Sequence, residues 1–164
     1  MIFSKEVNCK KAFFTMPFGL SMFDNMEQVD YCVPLPLKEY SEIRSRERAK
    51  HSFVLKKNKK YTMEVTGLFR SDEKISLDEY FKNSYTEKDE EEGKIVLKKQ
   101  IVPATSCFYA IGYWNNQIYS SRFMEIVWLR KEDVVKLNVT YPISDTAIWS
   151  NRLKYIVRTT SSCM

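Results

Sequence analysis

A chain of 164 residues, 44% hydrophobic and 14% aromatic, carries enough apolar side chain to bury a substantial core, which excludes disorder throughout. Its formal net charge of +5 lies wholly in the first third: residues 1–60 hold 12 Lys and Arg against 7 Asp and Glu, whereas residues 61–164 hold 14 against 14. No run approaches the roughly 18 consecutive apolar residues of a spanning helix, so the sequence predicts a soluble or peripheral protein.

From the N-terminus, Ala12 to Met16 and Leu20 to Phe23 read as short strands around Pro17-Phe18-Gly19. Lys10-Lys11 ahead of this stretch imitates a leader peptide, but Pro17 and Gly19 interrupt it and no small-x-small cleavage site follows before Asp24. A mature exported chain with its leader removed would read the same way, so the compartment stays open between cytoplasm and periplasm. Val29 to Leu37 is apolar yet holds Pro34 and Pro36, which cannot donate to a ladder, and is expected as an edge strand or an extended segment. Lys38 to Lys50 is charged, with Tyr40 and Ile43 its only large apolar residues, and is expected as a solvated helix or a loop.

Ser52 to Leu55 and Tyr61 to Phe69 then form a predicted hairpin around Lys56 to Lys60, with Tyr61, Met63, Val65 and Phe69 on one face. Ser76-Leu77-Asp78-Glu79 has the form of a capping box, and Leu77, Tyr80, Phe81 and Tyr85 give the following helix, to about Ser84, an apolar side. Thr86 to Gly93 reads as an acidic loop and Lys94 to Ile101 as a strand.

The most legible stretch runs from Ser106 to Val157. Cys107 to Trp114, closed by Asn115-Asn116, is followed by Arg122 to Arg130, which sets Met124, Ile126 and Trp128 against Phe123, Glu125, Val127 and Leu129. In Val134 to Tyr141 the apolar set Val135, Leu137, Val139 and Tyr141 alternates with Val134, Lys136, Asn138 and Thr140, predicting a meander with one buried and one wet face. After Pro142 the period changes: Ser144 or Asp145 is a good N-cap, and Trp149, Leu153, Ile156 and Val157 make the stripe of a helix expected on the meander's apolar face. Four glycines and five prolines are few for an all-β chain of this size. The expected fold is therefore α+β: one domain, 1–164, with a basic, proline-containing part over 1–50 and a core over 52–157. That core is a mainly antiparallel sheet of about five to seven strands with a middle and a C-terminal helix.

No catalytic constellation is spelled out. The four cysteines, Cys9, Cys32, Cys107 and Cys163, have no C-x-x-C or C-x-x-H spacing, and His51 is the only histidine, which argues against a metal site. Disulfides stay open among three connectivities, with Cys107 expected as a buried reduced thiol in its apolar strand. A nucleophilic triad would have to recruit His51, placed in a charged segment where a solvated histidine is ordinary. Glu64 and Glu125 each fit the wet side of a strand rather than an acid–base pair. Gly19, Gly67, Gly93 and Gly112 are isolated, so no phosphate loop can form. The expectation is a protein that is not an enzyme and uses neither metal nor cofactor.

Two binding readings follow. Arg44, Arg46, Arg48, Lys50, Lys56, Lys57, Lys59 and Lys60, flanked by Tyr40 and Tyr61, make a basic patch of the type that tracks nucleic-acid phosphates, diluted by Glu39, Glu42 and Glu47. Alternatively, Tyr109, Tyr113, Trp114 and Tyr119 surround the Asn115-Asn116 turn as an aromatic surface for a protein partner, unless both sheet faces are covered and the rings are core.

Three features carry a resemblance: the strand ending Gly67-Leu68-Phe69-Arg70, the helix start Ile75-Ser76-Leu77-Asp78-Glu79-Tyr80-Phe81, and the terminal strand and helix with Trp149 and Leu153. From about Ser52 to Val157 the chain resembles the PsbP-like α/β/α sandwich, shared by a photosystem II extrinsic protein, a Ran-binding nuclear-transport factor and bacterial chaperones of type VI secretion effectors. The resemblance implies a binding or assembly role. With no catalytic set, a basic first part and an acidic loop, the chain is expected by elimination as a protein binder, such as an immunity protein or a secretion-associated chaperone for a cognate effector, with nucleic-acid binding through the basic patch the alternative.

Overall fold

The computed structural model describes residues 7–15, 26–36, 38–43, 50–69, 74–85, 87–115, 121–131 and 133–159. In chain order its elements are β1 (Val7–Thr15), β2 (Met26–Pro34), β3 (Tyr40–Ile43), β4 (Lys50–Leu55), β5 (Asn58–Phe69), α1 (Leu77–Ser84), α2 (Glu87–Glu91), β6 (Lys94–Val102), β7 (Cys107–Trp114), β8 (Arg122–Leu129), β9 (Asp133–Tyr141) and α3 (Thr146–Thr159). Seven strands form one antiparallel sheet in the order β3-β4-β5-β9-β8-β7-β6, and β1 and β2 pair separately. The chain builds β3 to β5, crosses to the far edge at β6, and returns through the predicted meander until β9 closes against β5. That crossover carries α1 and α2.

On the first face, Met63, Val65, Ile126, Trp128, Val135 and Leu137 pack with the predicted helix stripe Trp149, Leu153, Ile156 and Val157. Burial of alternate residues along each strand is what puts these side chains on one side. Val33, near the end of β2, and Leu35, just past it, are fully enclosed in the same core. Around Trp149, the Tyr141 ring stacks at 5.8 Å, the Tyr40 ring meets it edge-on at 6.4 Å, and the Arg152 guanidinium lies 4.7 Å from the indole. Arg152 also donates to Glu39 at 2.6 Å, so its buried charge has a carboxylate partner.

The second face differs from the expected wet surface. Phe108, Val127, Leu129 and Val134 are buried there beneath Leu77, Tyr80, Phe81 and Tyr85. Phe108 sits amid Phe81 at 5.3 Å and Tyr80 and Tyr85 at 6.1 Å. The meander is thus covered on both sides where α1 crosses it, and much of the aromatic surplus is used in building two cores. Ser76 caps α1 as its sequence predicts, its hydroxyl accepting from the Glu79 amide at 3.2 Å. Ser76→Ala should cost about 1 kcal/mol in a urea titration and loosen the second core before the first.

Three local expectations are corrected. Within Lys38 to Lys50, Tyr40–Ile43 form a strand, β3, where a helix or loop is expected, while residues 44–49 lie outside the described residues: β3 forms the sheet edge, pairing Tyr40 with Leu55 and burying only Tyr40 of its four residues. Thr86 to Gly93 holds the short helix α2, because Glu and Lys are good helix formers, and Gly93 ends it at φ 90° with its amide bonded to the Glu90 carbonyl at 2.9 Å. The β4–β5 turn is tighter than expected, spanning Lys56-Lys57. Of the early strands, the Ala12 to Met16 reading falls within and just past β1, while Leu20 to Phe23 lies outside the described residues. Among the described residues no helix is long and apolar enough to cross a membrane.

Candidate binding cleft

The second face is only half covered by α1. On the open half the antiparallel register sets Glu64 opposite Asn138 and Asn138 opposite Glu125, so the two carboxylates stand two strands apart, about 10 Å between Cα atoms. Each has a lysine on its outer side: Lys50 Nζ lies 3.2 Å from Glu64 and Lys94 Nζ lies 3.0 Å from Glu125. The result is a transverse row, Lys50, Glu64, Asn138, Glu125, Lys94, of signs plus, minus, neutral, minus, plus. Beside the Glu64–Asn138 step of this row, two residues along the strands, Thr62 and Thr140 pair across β5 and β9, the Thr62 amide donating to the Thr140 hydroxyl at 2.9 Å. Thr62, Thr140, Glu64, Asn138, Glu125 and Lys94, with Trp114 and Phe123, line a cleft of about 300 Å³.

Lys94 is enclosed more fully than a surface lysine, with a side chain 14% exposed. Its ammonium stands 5.2 Å from the Phe123 ring, 5.5 Å from Tyr85 and 6.0 Å from Trp114, within cation–π range of all three. The Tyr85 hydroxyl donates to the second oxygen of Glu125 at 3.1 Å, so both carboxylate oxygens are engaged. Phe123 can lie against β7 because the residue opposite it is Gly112, where a Cβ would meet the Phe123 ring at 2.8 Å and the Ile95 carbonyl oxygen at 1.9 Å. Lys94 also lines a second groove of about 530 Å³, between Tyr85, Asp89 and Glu90 on one side and Leu97, Lys98 and Lys99 of the edge strand on the other. Leu97 stands at the β6 bulge and is 60% exposed. A bulge flanked by lysines is a common guard against edge-to-edge pairing of sheets.

Both carboxylates are ion-paired, and the resolved ionisation shifts all run away from reactivity at neutral pH. Burial, then the Glu125 charge, pushes the Tyr85 phenol up; burial does the same for Tyr40 and Tyr141, opposed in part by Arg152 and Arg122 respectively. Burial also raises the Cys107 thiol, against a contact with the Thr105 hydroxyl at 3.1 Å, so Cys107 is a poor nucleophile as well as a buried free cysteine. Phenols that ionise harder in the folded than in the unfolded chain contribute stability that is complete below their ordinary value of 10.0 and lost as pH rises beyond it. Unfolding followed from pH 8 to 11 should therefore show stability falling above about pH 10, with phenolate absorbance from these three rings appearing only on unfolding. Among the described residues no group of three His, Cys, Asp or Glu side chains is placed to hold a metal ion.

The residues singled out from sequence separate in space. Tyr109 is buried on the α3 face with its hydroxyl donating to Gln100 at 2.8 Å; Tyr113, on the same face, is half-buried beneath the Arg122 guanidinium at 5.5 Å. Trp114 has the opposite parity along β7 and joins the cleft, where its ring lies 6.1 Å from Phe123. Tyr119 lies outside the described residues, as do Arg44, Arg46 and Arg48. Lys56, Lys57, Lys59 and Lys60 are exposed at the β4–β5 turn, but Lys50 is at the other end of β4, opposite Thr66, and is paired to Glu64. The described part of the basic cluster is thus divided. His51 contacts Glu42 at 2.9 Å across the β3–β4 edge, an ordinary strand-edge pair. Sequence reasoning set Glu64, Glu125 and Asn138 on the face turned away from the first core but did not select Lys94, Phe123, Thr62 or Thr140; the shared parity of Phe123, Glu125, Asn138 and Thr140 on adjacent strands was the available signal.

No protein-family model matches the chain, and no curated protein sequence matches it. Among solved structures it is similar to the solution structure of cyanobacterial PsbP (CyanoP) from Synechocystis sp. PCC 6803, with a TM-score of 0.51 over 82% of this chain and 84% of that one at 9% sequence identity. At that identity the likeness is one of fold, and the fold is PsbP-like.

Proposed function

We propose that the protein is a non-enzymatic binding protein and that a protein partner docks on the open half of the second sheet face, continuing round the β6 edge. The observation that carries this reading is the cleft itself: the half-buried ring of Trp114, backed by the buried Phe123, beside a row in which two carboxylates are flanked by lysines that hold them rather than leave them poised for proton transfer. An accessible aromatic ring bordered by polar groups is the usual composition of an interaction site. Two grooves meeting at Lys94 offer an extended surface, larger than a small ligand fills. Neutralisation of a toxin by an immunity protein, or escort of a secreted effector by a chaperone, are roles that need such a surface and no turnover.

The test is capture from cell extract at 50 and 200 mM salt with nuclease treatment in parallel, comparing wild type with Trp114→Ala. One stoichiometric protein partner held by the wild type at the higher salt after nuclease, and depleted with the variant, supports the proposal. Binding through six or more phosphates would instead weaken roughly a thousandfold between those salts. Nucleic acid released by salt, with no protein partner, would refute protein binding in favour of the basic cluster.

A further inference from the structure

Asn138 stands between the two carboxylates of the cleft, opposite Glu64 on one neighbouring strand and Glu125 on the other. Among the described residues its side-chain amide has no hydrogen-bond partner, and Glu64 is engaged through one oxygen only, by Lys50. Lys50 holds Glu64 from outside the cleft. The lining itself carries two carboxylates and one ammonium, that of Lys94, and so keeps one net negative charge. Lys94 lies beyond Glu125, among the rings of Phe123, Tyr85 and Trp114, which leaves the unmatched acceptors on the Glu64 and Asn138 side. We infer that the cleft receives an arginine side chain of the protein partner, with its guanidinium over Asn138 and between Glu64 and Glu125. This assignment rests on docking at the open half of the second face and gives that docking its chemistry.

Each alternative occupant fails on a named group. An anion would face both carboxylates, and the ammonium that could receive it is already bonded to Glu125 and only 14% exposed. An apolar side chain would shut the Asn138 amide and the second Glu64 oxygen away from water with no donor in exchange, the costly way to bury a polar group. Between the two cations the geometry selects arginine. A guanidinium is planar and carries donors along several edges, so one group can serve two carboxylates and the amide oxygen between them, where an ammonium is a compact point charge. It is also less strongly hydrated, and its plane packs against aromatic rings, a wall that the half-buried Trp114 provides. The volume of about 300 Å³ is at the small end of ligand-sized pockets and suits one side chain. Arginine on one partner and tryptophan on the other are the residue types most enriched at the energetic centres of interfaces.

The experiment titrates acetyl-arginine amide into the isotope-labelled full chain and follows backbone and side-chain amide resonances. Acetyl-citrulline amide serves as the neutral isostere and acetyl-lysine amide, with its side-chain ammonium free, as the other cation. A single side chain should bind weakly, with saturable shifts centred on the Asn138 side-chain amide and a Kd of roughly a millimolar. Citrulline should bind roughly tenfold more weakly and lysine roughly threefold. Glu64→Gln keeps the side-chain volume and should weaken arginine roughly fivefold, with resonances outside the cleft coinciding with wild type as the check on folding. The assignment is overturned by the absence of saturable shifts at roughly ten times the expected Kd, by equal binding of citrulline or lysine, or by unchanged binding to Glu64→Gln. The titration needs no partner, so it separates the two proposals. A partner captured through Trp114 by a chain that does not bind the arginine probe would overturn the arginine assignment and leave the docking face standing. Arginine binding at Asn138 with no captured partner would support the cleft's cation preference and count against the docking alone.

Discussion

Trp149→Ala should lower the unfolding free energy by about 3–5 kcal/mol, the range for removing a fully buried large aromatic from a core. The indole is 1% exposed and its surroundings are specific: Tyr141 stacked on it, Tyr40 edge-on, and the Arg152 guanidinium over it. Truncation leaves a cavity bounded by β9, β3 and α3 itself, and it removes the ring that helps hold Arg152 in its buried pairing with Glu39. A urea titration followed by far-UV circular dichroism measures the loss. An unchanged midpoint would mean that α3 does not seal the first core.

The second large effect is expected at Gly112. A methyl group there falls 1.9 Å from the Ile95 carbonyl oxygen and 2.8 Å from the Phe123 ring. The ring can rotate away but the carbonyl belongs to the neighbouring strand, so Gly112→Ala must push β6 from β7 or shift both. The cost should reach about 3 kcal/mol, the upper part of the range for overpacking, and it should be local. Hydrogen exchange of the β6 amides should accelerate far more than that of β5 and β9, and the Lys94–Glu125 pairing should loosen with it. Substitution at Gly112 without effect on β6 exchange would mean that the close approach of Ile95 is not required.

Why some of this was legible from sequence and some was not follows from how much each segment buries. Strands β7 to β9 and helix α3 each place a full apolar stripe on the first core, so their periods survive in the sequence, as Trp149, Leu153, Ile156 and Val157 show. β3 is a sheet edge that buries Tyr40 and leaves Ser41, Glu42 and Ile43 exposed, so it has no alternation to read. α2 is five charged residues long and has no apolar side at all. Val134 has the parity of the wet face yet is buried, because α1 arrives over it from a distant part of the chain. The cleft shows the same division. Glu64 and Glu125 were recognisable as facing away from the first core, but their convergence with Lys94 depends on the order β5-β9-β8-β7-β6, fixed by the long crossover after β5. The parity difference between Tyr109 and Trp114 lay in the sequence throughout, and it separates a core ring from a surface one.

Once the captured protein partner is purified, its affinity for Trp114→Ala and for Lys57→Ala, set beside wild type by calorimetry at one salt concentration, locates the docking surface directly. Trp114 lines the cleft and Lys57 is exposed at the β4–β5 turn outside it. If the cleft is the interface, Trp114→Ala should weaken binding roughly 30-fold or more, a hot-spot loss of about 2 kcal/mol, and Lys57→Ala should change it less than about threefold. Unchanged affinity for Trp114→Ala, or a larger loss for Lys57→Ala, would contradict docking on the open half of the second face.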